Sequence, residues 1–226
     1  MTNRQHSPIK LLADPRVRLG LGMAAMLVTA LRARRNQVGH CEAEAFRAVN
    51  GLPDLLYTPI WVIMQLGTLG AAPTAASAAL LAHDRELARR LLAVGTGTWA
   101  FSKLVKKVVR RPRPAALVTG TRSRGREASG LGYLSGHAGV AVALGAAAFP
   151  RLSQSGRALV MAAVPIVGLS RIYVGAHLPL DIAGGAALGL AVDAAVALVQ
   201  HPSGQMKQPD GPERRGSASS RGGSRN

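Results

Sequence analysis

A short polar stretch near the end of the chain carries side chains that can do chemistry. It lies between two apolar stretches, residues 158–169 and 182–200. Its polar side chains are Ser170, Arg171, His177 and Asp181. A charge beside hydrocarbon is costly, so ionisable residues in this setting are functional candidates. The structural alternative is a histidine at a membrane surface with an arginine whose head group reaches water.

The spacing within this stretch favours phosphate chemistry. His177 and Asp181 are four positions apart, which places them on one face if the chain there is helical. A carboxylate so placed accepts one imidazole N–H and leaves the other ring nitrogen as a nucleophile or base. Arg171 can bind a phosphate through two parallel hydrogen bonds.

A second candidate site lies at Ser135-Gly136-His137, ahead of a stretch rich in small residues. Ser135 is typical of a helix N-cap, and the free N–H groups at a helix N-terminus bind anions. His137 in the first turn could protonate a leaving oxygen. The alternative is a capped helix with an incidental histidine.

A third candidate lies in the basic run at residues 103–126. Such runs usually mark a loop on the positively charged side of a membrane. Here Pro112 and Pro114 restrict the backbone on both sides of Arg113 and should hold it in a fixed position. Lys106, about two helical turns earlier, could reach the same anion.

Composition indicates a membrane protein. Of 226 residues, 48% are hydrophobic but only 4% aromatic, and the apolar residues come in long blocks. The net charge of +17 would suggest nucleic acid in a soluble chain, but here it fits basic loops and tails. The single cysteine, Cys41, excludes an intramolecular disulfide and a thiolate metal cluster. We expect no metal, no cofactor and no nucleic-acid partner.

The apolar blocks predict an all-α, polytopic membrane helical bundle of about six spans. The predicted spans are residues 17–33, 57–82, 91–105, 136–150, 157–170 and 179–199. The first is borderline and could instead lie in the interface as an amphipathic helix. Residues 36–54 predict a polar loop or a short surface helix. In an alternating bundle, the three candidate sites lie on one membrane face.

Three regions follow from this pattern. Residues 1–54 form an N-terminal segment with one borderline span and a polar loop. Residues 55–200 form the main domain. Residues 201–226 are rich in Gly, Ser, Pro and Arg, which predicts a disordered basic tail.

The three sites together resemble a known family. The pattern Lys106-x6-Arg113-Pro114, then Ser135-Gly136-His137, then Ser170-Arg171-x5-His177-x3-Asp181 is similar to that of the type 2 phosphatidic acid phosphatase superfamily. Its members are metal-independent lipid phosphatases and acid phosphatases with a helical core. The resemblance makes residues 55–200 a lipid phosphatase domain. One departure is Leu134, which stands where the family's second motif usually has proline.

The resemblance implies a role for each matched residue. His177 would be the nucleophile that forms a phosphohistidine, Asp181 would orient it, and His137 would protonate the leaving group. The phosphoryl oxygens would be held by Lys106, Arg113, Ser135, Gly136 and Arg171.

The leading hypothesis is a membrane phosphatase acting on a phosphorylated lipid, either a polyprenyl diphosphate or a phospholipid monoester. One alternative is a phosphotransferase with the same pocket and an alcohol acceptor. Another is a non-enzymatic basic membrane protein that binds anionic lipid. The resemblance implies a bacterial plasma membrane and an outward-facing site, while Lys and Arg placement favours an inside N-terminus only weakly. The oligomeric state stays open.

Overall fold

The computed structural model describes residues 14–125 and 129–200, and every regular element in these ranges is helical. The α-helices are α1 (Pro15–Ala33), α2 (His40–Asn50), α3 (Tyr57–Met64), α4 (Ala71–Leu81), α5 (Arg85–Val109), α6 (Gly136–Ala148), α7 (Gln154–Tyr173) and α8 (Pro179–Gln200). Single 3-10 turns occur at Asp54–Leu56, Gln65–Gly67, Pro114–Ala116 and Phe149–Arg151. The all-α prediction is confirmed. The predicted tail at 201–226 lies outside the described residues.

Fewer of the described helices are able to span a membrane than the sequence predicts. Within the described ranges, α7 and α8 are long and apolar enough to cross a membrane. Asp54–Gly67 and Ala71–Leu81 would supply a third span if this pair, bent by 72°, crosses as one broken segment. The number of six spans is therefore not confirmed.

The chain breaks within the predicted span at 57–82 for a steric reason. A Cβ atom at Gly67 would lie 2.6 Å from the carbonyl oxygen of His137. The backbone thus passes directly against the start of α6, and it does so where glycines at positions 67 and 70 permit a turn. The predicted span at 57–82 is therefore not one continuous helix but a bent pair of helical segments.

Helix α1, the borderline span, packs along α8. A Cβ atom at Gly22 of α1 would lie 2.9 Å from the carbonyl oxygen of Ala187 on α8. Glycine at such positions lets two helix backbones approach closely, as is common in membrane bundles. The same device joins α6 to α8, where a Cβ atom at Gly189 would clash with the carbonyl oxygen of Gly139. Leu134, the departure from the family motif, is fully buried in the core.

Helix α2 forms where the sequence predicts a loop or short surface helix. Its Phe46 is 1% exposed and packs in a small apolar cluster with Ile172 and Leu178. The Nδ2 of Asn50 donates to the carbonyl oxygen of Tyr173 at 3.0 Å. Helix α2 therefore lies against the end of the bundle at which α7 ends and α8 begins.

Candidate active site

His177 and Asp181 face each other at the start of α8. The Nδ1 atom of His177 lies 3.6 Å from Oδ2 of Asp181, and the two side chains are 4% and 0% exposed. The same Oδ2 accepts a hydrogen bond from the backbone N–H of Leu178 at 2.9 Å. The carboxylate is thus held beside Nδ1, and Nε2 is the ring nitrogen that does not face it.

The spacing of His177 and Asp181 would place them on one helical face, but only Asp181 lies in a helix. Helix α8 begins at Pro179, so His177 lies before it, in a turn in which Gly175 has φ +75°. A Cβ atom at Gly175 would lie 2.5 Å from the carbonyl oxygen of Arg122. The turn therefore requires glycine for its backbone conformation and for its close approach to the loop that follows α5.

Lys106 and Arg171 reach the site from the ends of α5 and α7. Lys106 Nζ donates to the carbonyl oxygens of Leu131 and Gly132, each at 3.1 Å. Arg171 Nη1 contacts Sδ of Met64 at 2.8 Å, and its buried Nε has no hydrogen-bond partner within the described chain. Among the described residues, Lys106 thus donates only to backbone carbonyl oxygens, and Arg171 donates only to a weak thioether acceptor. Both side chains could donate instead to an anionic substrate.

Arg113 is anchored beside the turn that holds His177. Its Nη1 donates to the carbonyl oxygen of Ala176 at 2.7 Å, next to His177 in sequence. Its Nε and Nη2 both donate to the carbonyl oxygen of Ser129, at 3.0 and 2.9 Å. Arg113 also precedes the 3-10 turn at Pro114–Ala116, which stiffens the segment.

The second candidate site forms the N-terminus of α6. Ser135 caps the helix as predicted, and its Oγ accepts from the N–H of Ala138 at 3.4 Å. The N–H of Ser135 donates to the carbonyl oxygen of Asp181 at 2.9 Å, which joins the second and third sites. Gly136 packs against Ser102 of α5, where a Cβ atom at Gly136 would lie 3.1 Å from Oγ of Ser102.

His137 completes the cluster. In the first turn of α6, it lies within electrostatic range of His177 and of three cations, Lys106, Arg113 and Arg171. The structure therefore brings all eight sequence-predicted site residues to one end of the bundle. Two histidines, a buried carboxylate and three cations form an arrangement that suits an anionic substrate.

Burial determines the ionisation state of His177, which lies in the turn between α7 and α8. Burial, together with the charges of Lys106 and Arg171, lowers the pKa of His177 to about 3, against the opposing effect of Asp181. The imidazole is therefore neutral near pH 7. A neutral imidazole keeps a lone pair for attack on an electrophile.

Two residues that the sequence did not single out also reach the site. Arg111 is 0% exposed, and its Nη1 donates to Oδ1 of Asp181 at 2.9 Å. Its Nη2 donates to Oε2 of Glu42, on α2, at 2.9 Å. The sequence places Arg111 in a basic run and Glu42 in a polar loop, and no local signal distinguishes either residue from its neighbours.

The side chains that commonly bind metal ions lie apart from one another in the described ranges. Across residues 14–125 and 129–200, no three His, Cys, Asp or Glu side chains cluster closely enough to hold a metal ion. The pair formed by His40 and Glu44, 3.3 Å apart, is exposed on α2.

Comparison with known families identifies the fold and the site region. A profile described as the PAP2 superfamily matches residues 87–205, which includes all three candidate sites. The chain belongs to the PAP2 superfamily. This agrees with the resemblance carried by the three motifs, since PAP2 stands for type 2 phosphatidic acid phosphatase.

Curated relatives narrow the comparison. Two proteins named decaprenylphosphoryl-5-phosphoribose phosphatase, from two strains of Mycobacterium tuberculosis, are each 36% identical over 115 residues. The match covers 48% of this PAP2 chain and 60% of each relative. The chain thus spans less than two thirds of the length of these relatives.

Two solved structures share the fold. LpxE from Aquifex aeolicus superposes with a TM-score of 0.63 at 21% identity, covering 68% of this chain and 93% of LpxE. A transmembrane PAP2 type phosphatidylglycerolphosphate phosphatase from Bacillus subtilis gives a TM-score of 0.64 at 19% identity, covering 83% of this chain and 99% of that protein. The two structures show that this chain shares their fold, and its helices α7 and α8 are long and apolar enough to cross a membrane, as expected of an integral membrane protein.

Proposed function

We propose that this PAP2 protein hydrolyses a phosphomonoester or diphosphate on a membrane lipid, without a metal ion, through a phosphohistidine at His177. The observation that carries the proposal is the buried pair of His177 and Asp181, with Nδ1 3.6 Å from Oδ2. At this distance Nδ1 has no hydrogen-bond partner among the described residues, and in our proposal the pair closes to hydrogen-bond distance when substrate binds, which fixes the tautomer with its lone pair on the nucleophilic Nε2. Asp181 would also stabilise the positive charge that develops on the ring.

Charge supports a phosphoryl substrate. Lys106, Arg113, Arg171 and His177 all lie within electrostatic range of His137, so three basic side chains act on the region that holds both histidines. Phosphoryl transfer gains most from positive donors around the equatorial oxygens. In our proposal these cations, the N–H groups at the start of α6 and the Ser135 hydroxyl hold those oxygens and supply the charge that a metal ion supplies elsewhere.

The proposed reaction has two steps. Nε2 of His177 attacks phosphorus, and the bond to the leaving oxygen breaks while His137 donates to that oxygen a proton that the bound phosphate dianion stabilises on its ring. A water molecule then attacks the phosphohistidine, His137 takes up a proton from it, and phosphate leaves with His177 restored. Nucleophile and acid thus act on opposite sides of phosphorus, as an in-line displacement requires.

The substrate class rests on the relatives. The two mycobacterial relatives are named for a phosphorylated sugar on a polyprenyl phosphate. We therefore include such a glycolipid beside polyprenyl diphosphates and phospholipid monoesters.

We further propose six spans, a catalytic domain at 55–200 after an N-terminal segment at 1–54, and a bacterial plasma-membrane location with an outward-facing site.

The test is phosphate release by the purified protein in detergent or mixed micelles. The panel contains a polyprenyl diphosphate, phosphatidate, phosphatidylglycerophosphate and a phosphorylated sugar lipid, each with and without EDTA. We expect release from at least one lipid, unchanged by EDTA and abolished by His177→Ala. His40→Ala is the matched control, because His40 is an exposed histidine on α2. Loss of activity with EDTA, restored by a divalent ion, would contradict the metal-free mechanism.

The same assay separates the alternatives. A phosphotransferase would release little phosphate. With an added alcohol acceptor, it would yield a new phosphate ester instead. A non-enzymatic lipid-binding protein would show no turnover, and its binding to anionic vesicles would depend on residues 201–226 but not on His177.

A further inference from the structure

Arg111 is an arginine buried between two carboxylates. Its side chain is 0% exposed, and its Nη1 donates both to Oδ1 of Asp181 at 2.9 Å and to Oε1 of Glu42 at 3.1 Å. Its Nη2 donates to Oε2 of Glu42 at 2.9 Å. The contact with Glu42 is therefore bidentate, which fixes the plane of the guanidinium.

The second carboxylate changes the charge that His177 meets. Arg111 and Asp181 alone would form a neutral pair, and Asp181 would then offer little stabilisation to a positive imidazole. With Glu42 the three groups carry one net negative charge. Charges act strongly on one another in a buried site, so this difference reaches the His177 ring.

Glu42 also fixes the backbone next to Asp181. Its Oε1 accepts from the N–H of Leu180 at 3.1 Å. Asp181 is therefore held at Oδ1 by Arg111, at Oδ2 by the N–H of Leu178, and through its neighbour by Glu42. These contacts leave Oδ2 directed toward Nδ1 of His177.

We propose that Glu42 and Arg111 are positioning residues that orient Asp181 and keep its negative charge available to His177 when the phosphohistidine forms. The inference rests on the proposed function. Glu42 lies outside residues 87–205, the region that matches the superfamily, so the N-terminal segment would supply part of the catalytic apparatus. Helix α2 is then required for rate and not only for folding.

Glu42→Gln tests the proposal with little change of shape, because an amide oxygen can still accept from Leu180 and Arg111. Loss of the charge should lower kcat roughly 3- to 30-fold, the range for a residue that acts through a network, and leave KM within about twofold. Glu44→Gln is the matched control: Glu44 lies on the same helix but is exposed and pairs with His40. It should match wild type, and Glu42→Asp, which keeps the charge, should be less impaired than Glu42→Gln.

A binding measurement extends the test to a readout without turnover. Orthovanadate, a phosphate analogue that can become five-coordinate on a histidine nitrogen, should bind Glu42→Gln roughly 3- to 30-fold more weakly than wild type, as followed by vanadium NMR. Glu44→Gln should bind it as wild type does.

The outcomes separate the two proposals. If wild type is active and Glu42→Gln retains its kcat and its affinity for vanadate, or if Glu44→Gln is equally impaired, the positioning role is wrong and the proposed function stands. If Glu42→Asp is as poor as Glu42→Gln, charge is not what Glu42 provides, and the proposal is likewise overturned. If wild type neither turns over any lipid nor binds vanadate, the proposed function itself is wrong, and the positioning role fails with it.

Discussion

Arg18 of α1 donates a hydrogen bond to Oδ2 of Asp193 on α8 at 2.6 Å, across 175 positions of sequence. Arg90 of α5 donates to the other carboxylate oxygen at the same distance. Asp193 is fully buried, and an unpaired carboxylate inside a helical membrane bundle would be very costly. The two arginines therefore join three helices through one buried charge.

Asp193→Asn should destabilise the protein because it leaves two arginines without their counter-charge. We expect a loss of about 3 kcal/mol, as for other buried ion pairs that lose one partner, measured by thermal unfolding in detergent. The control is Asp54→Asn, since Asp54 also pairs with an arginine, Arg124, at 2.7 Å but is 82% exposed. That variant should lose no more than about 1 kcal/mol, and equal losses in the two variants would contradict the assigned role of burial.

Gly185→Ala should impair both folding and activity. A Cβ atom at Gly185 would clash with the carbonyl oxygen of Ser135, so α8 would have to move away from the start of α6. We expect a loss of stability of roughly 1–3 kcal/mol and a marked loss of phosphate release. Gly20→Ala is the control, because Gly20 lies on α1 with nothing within 4 Å of its Cβ position. It should keep full activity, and a Gly185→Ala protein that also does so would show that the contact tolerates a methyl group.

The two histidines should fail in different ways. His177→Ala should lose all turnover, because no covalent intermediate can form. His137→Ala should lose roughly 10²- to 10⁴-fold on alkyl phosphates, the usual contribution of a general acid. On p-nitrophenyl phosphate it should retain a much larger fraction of wild-type activity, because the phenolate leaves without a proton.

Trapping experiments complete this test. Rapid acid quenching with radiolabelled substrate at short times should detect a labile phosphohistidine in wild type and none in His177→Ala. If the trapped label is lost in His137→Ala instead, and His177→Ala is the variant that retains activity on p-nitrophenyl phosphate, then the two histidines have the opposite roles. If both variants lose all turnover on every substrate, the assignment of His177 as nucleophile and His137 as general acid is contradicted.

Burial of neutral His177 should make stability depend on pH. Its pKa falls from 6.5 to about 3 on folding, so in this window the unfolded chain binds a proton that the folded protein does not. The free energy of unfolding should therefore decrease as pH is lowered, by about 1.4 kcal/mol per pH unit from this residue. Thermal unfolding at about pH 7 and about pH 5 should show a smaller pH effect in His177→Gln than in wild type. An equal effect in both proteins would mean that His177 is not buried in its neutral form.

Local sequence was sufficient to predict most of the helices and to single out the motifs with chemically reactive side chains. The N-cap at Ser135 and the helix start at Pro179 are short-range signals, and both are confirmed. The break within 57–82 also has a local signal in Gly67 and Gly70, but glycine is common in membrane helices and its meaning depended on the close approach of His137.

The partners of the buried charges were decided only by the tertiary structure. Arg111 and Glu42 are 69 positions apart and Arg18 and Asp193 are 175, and nothing near either residue in sequence specifies the other. Helix propensity and hydrophobic periodicity act over a few residues, whereas these pairs form only after α1 and α2 have packed against the bundle. The sequence by itself identified the candidate residues for binding and attacking a phosphoryl group. The fold determined which carboxylates and arginines surround His177 and hold the helices together, because the cost of burying a charge can be met only by groups that packing brings near.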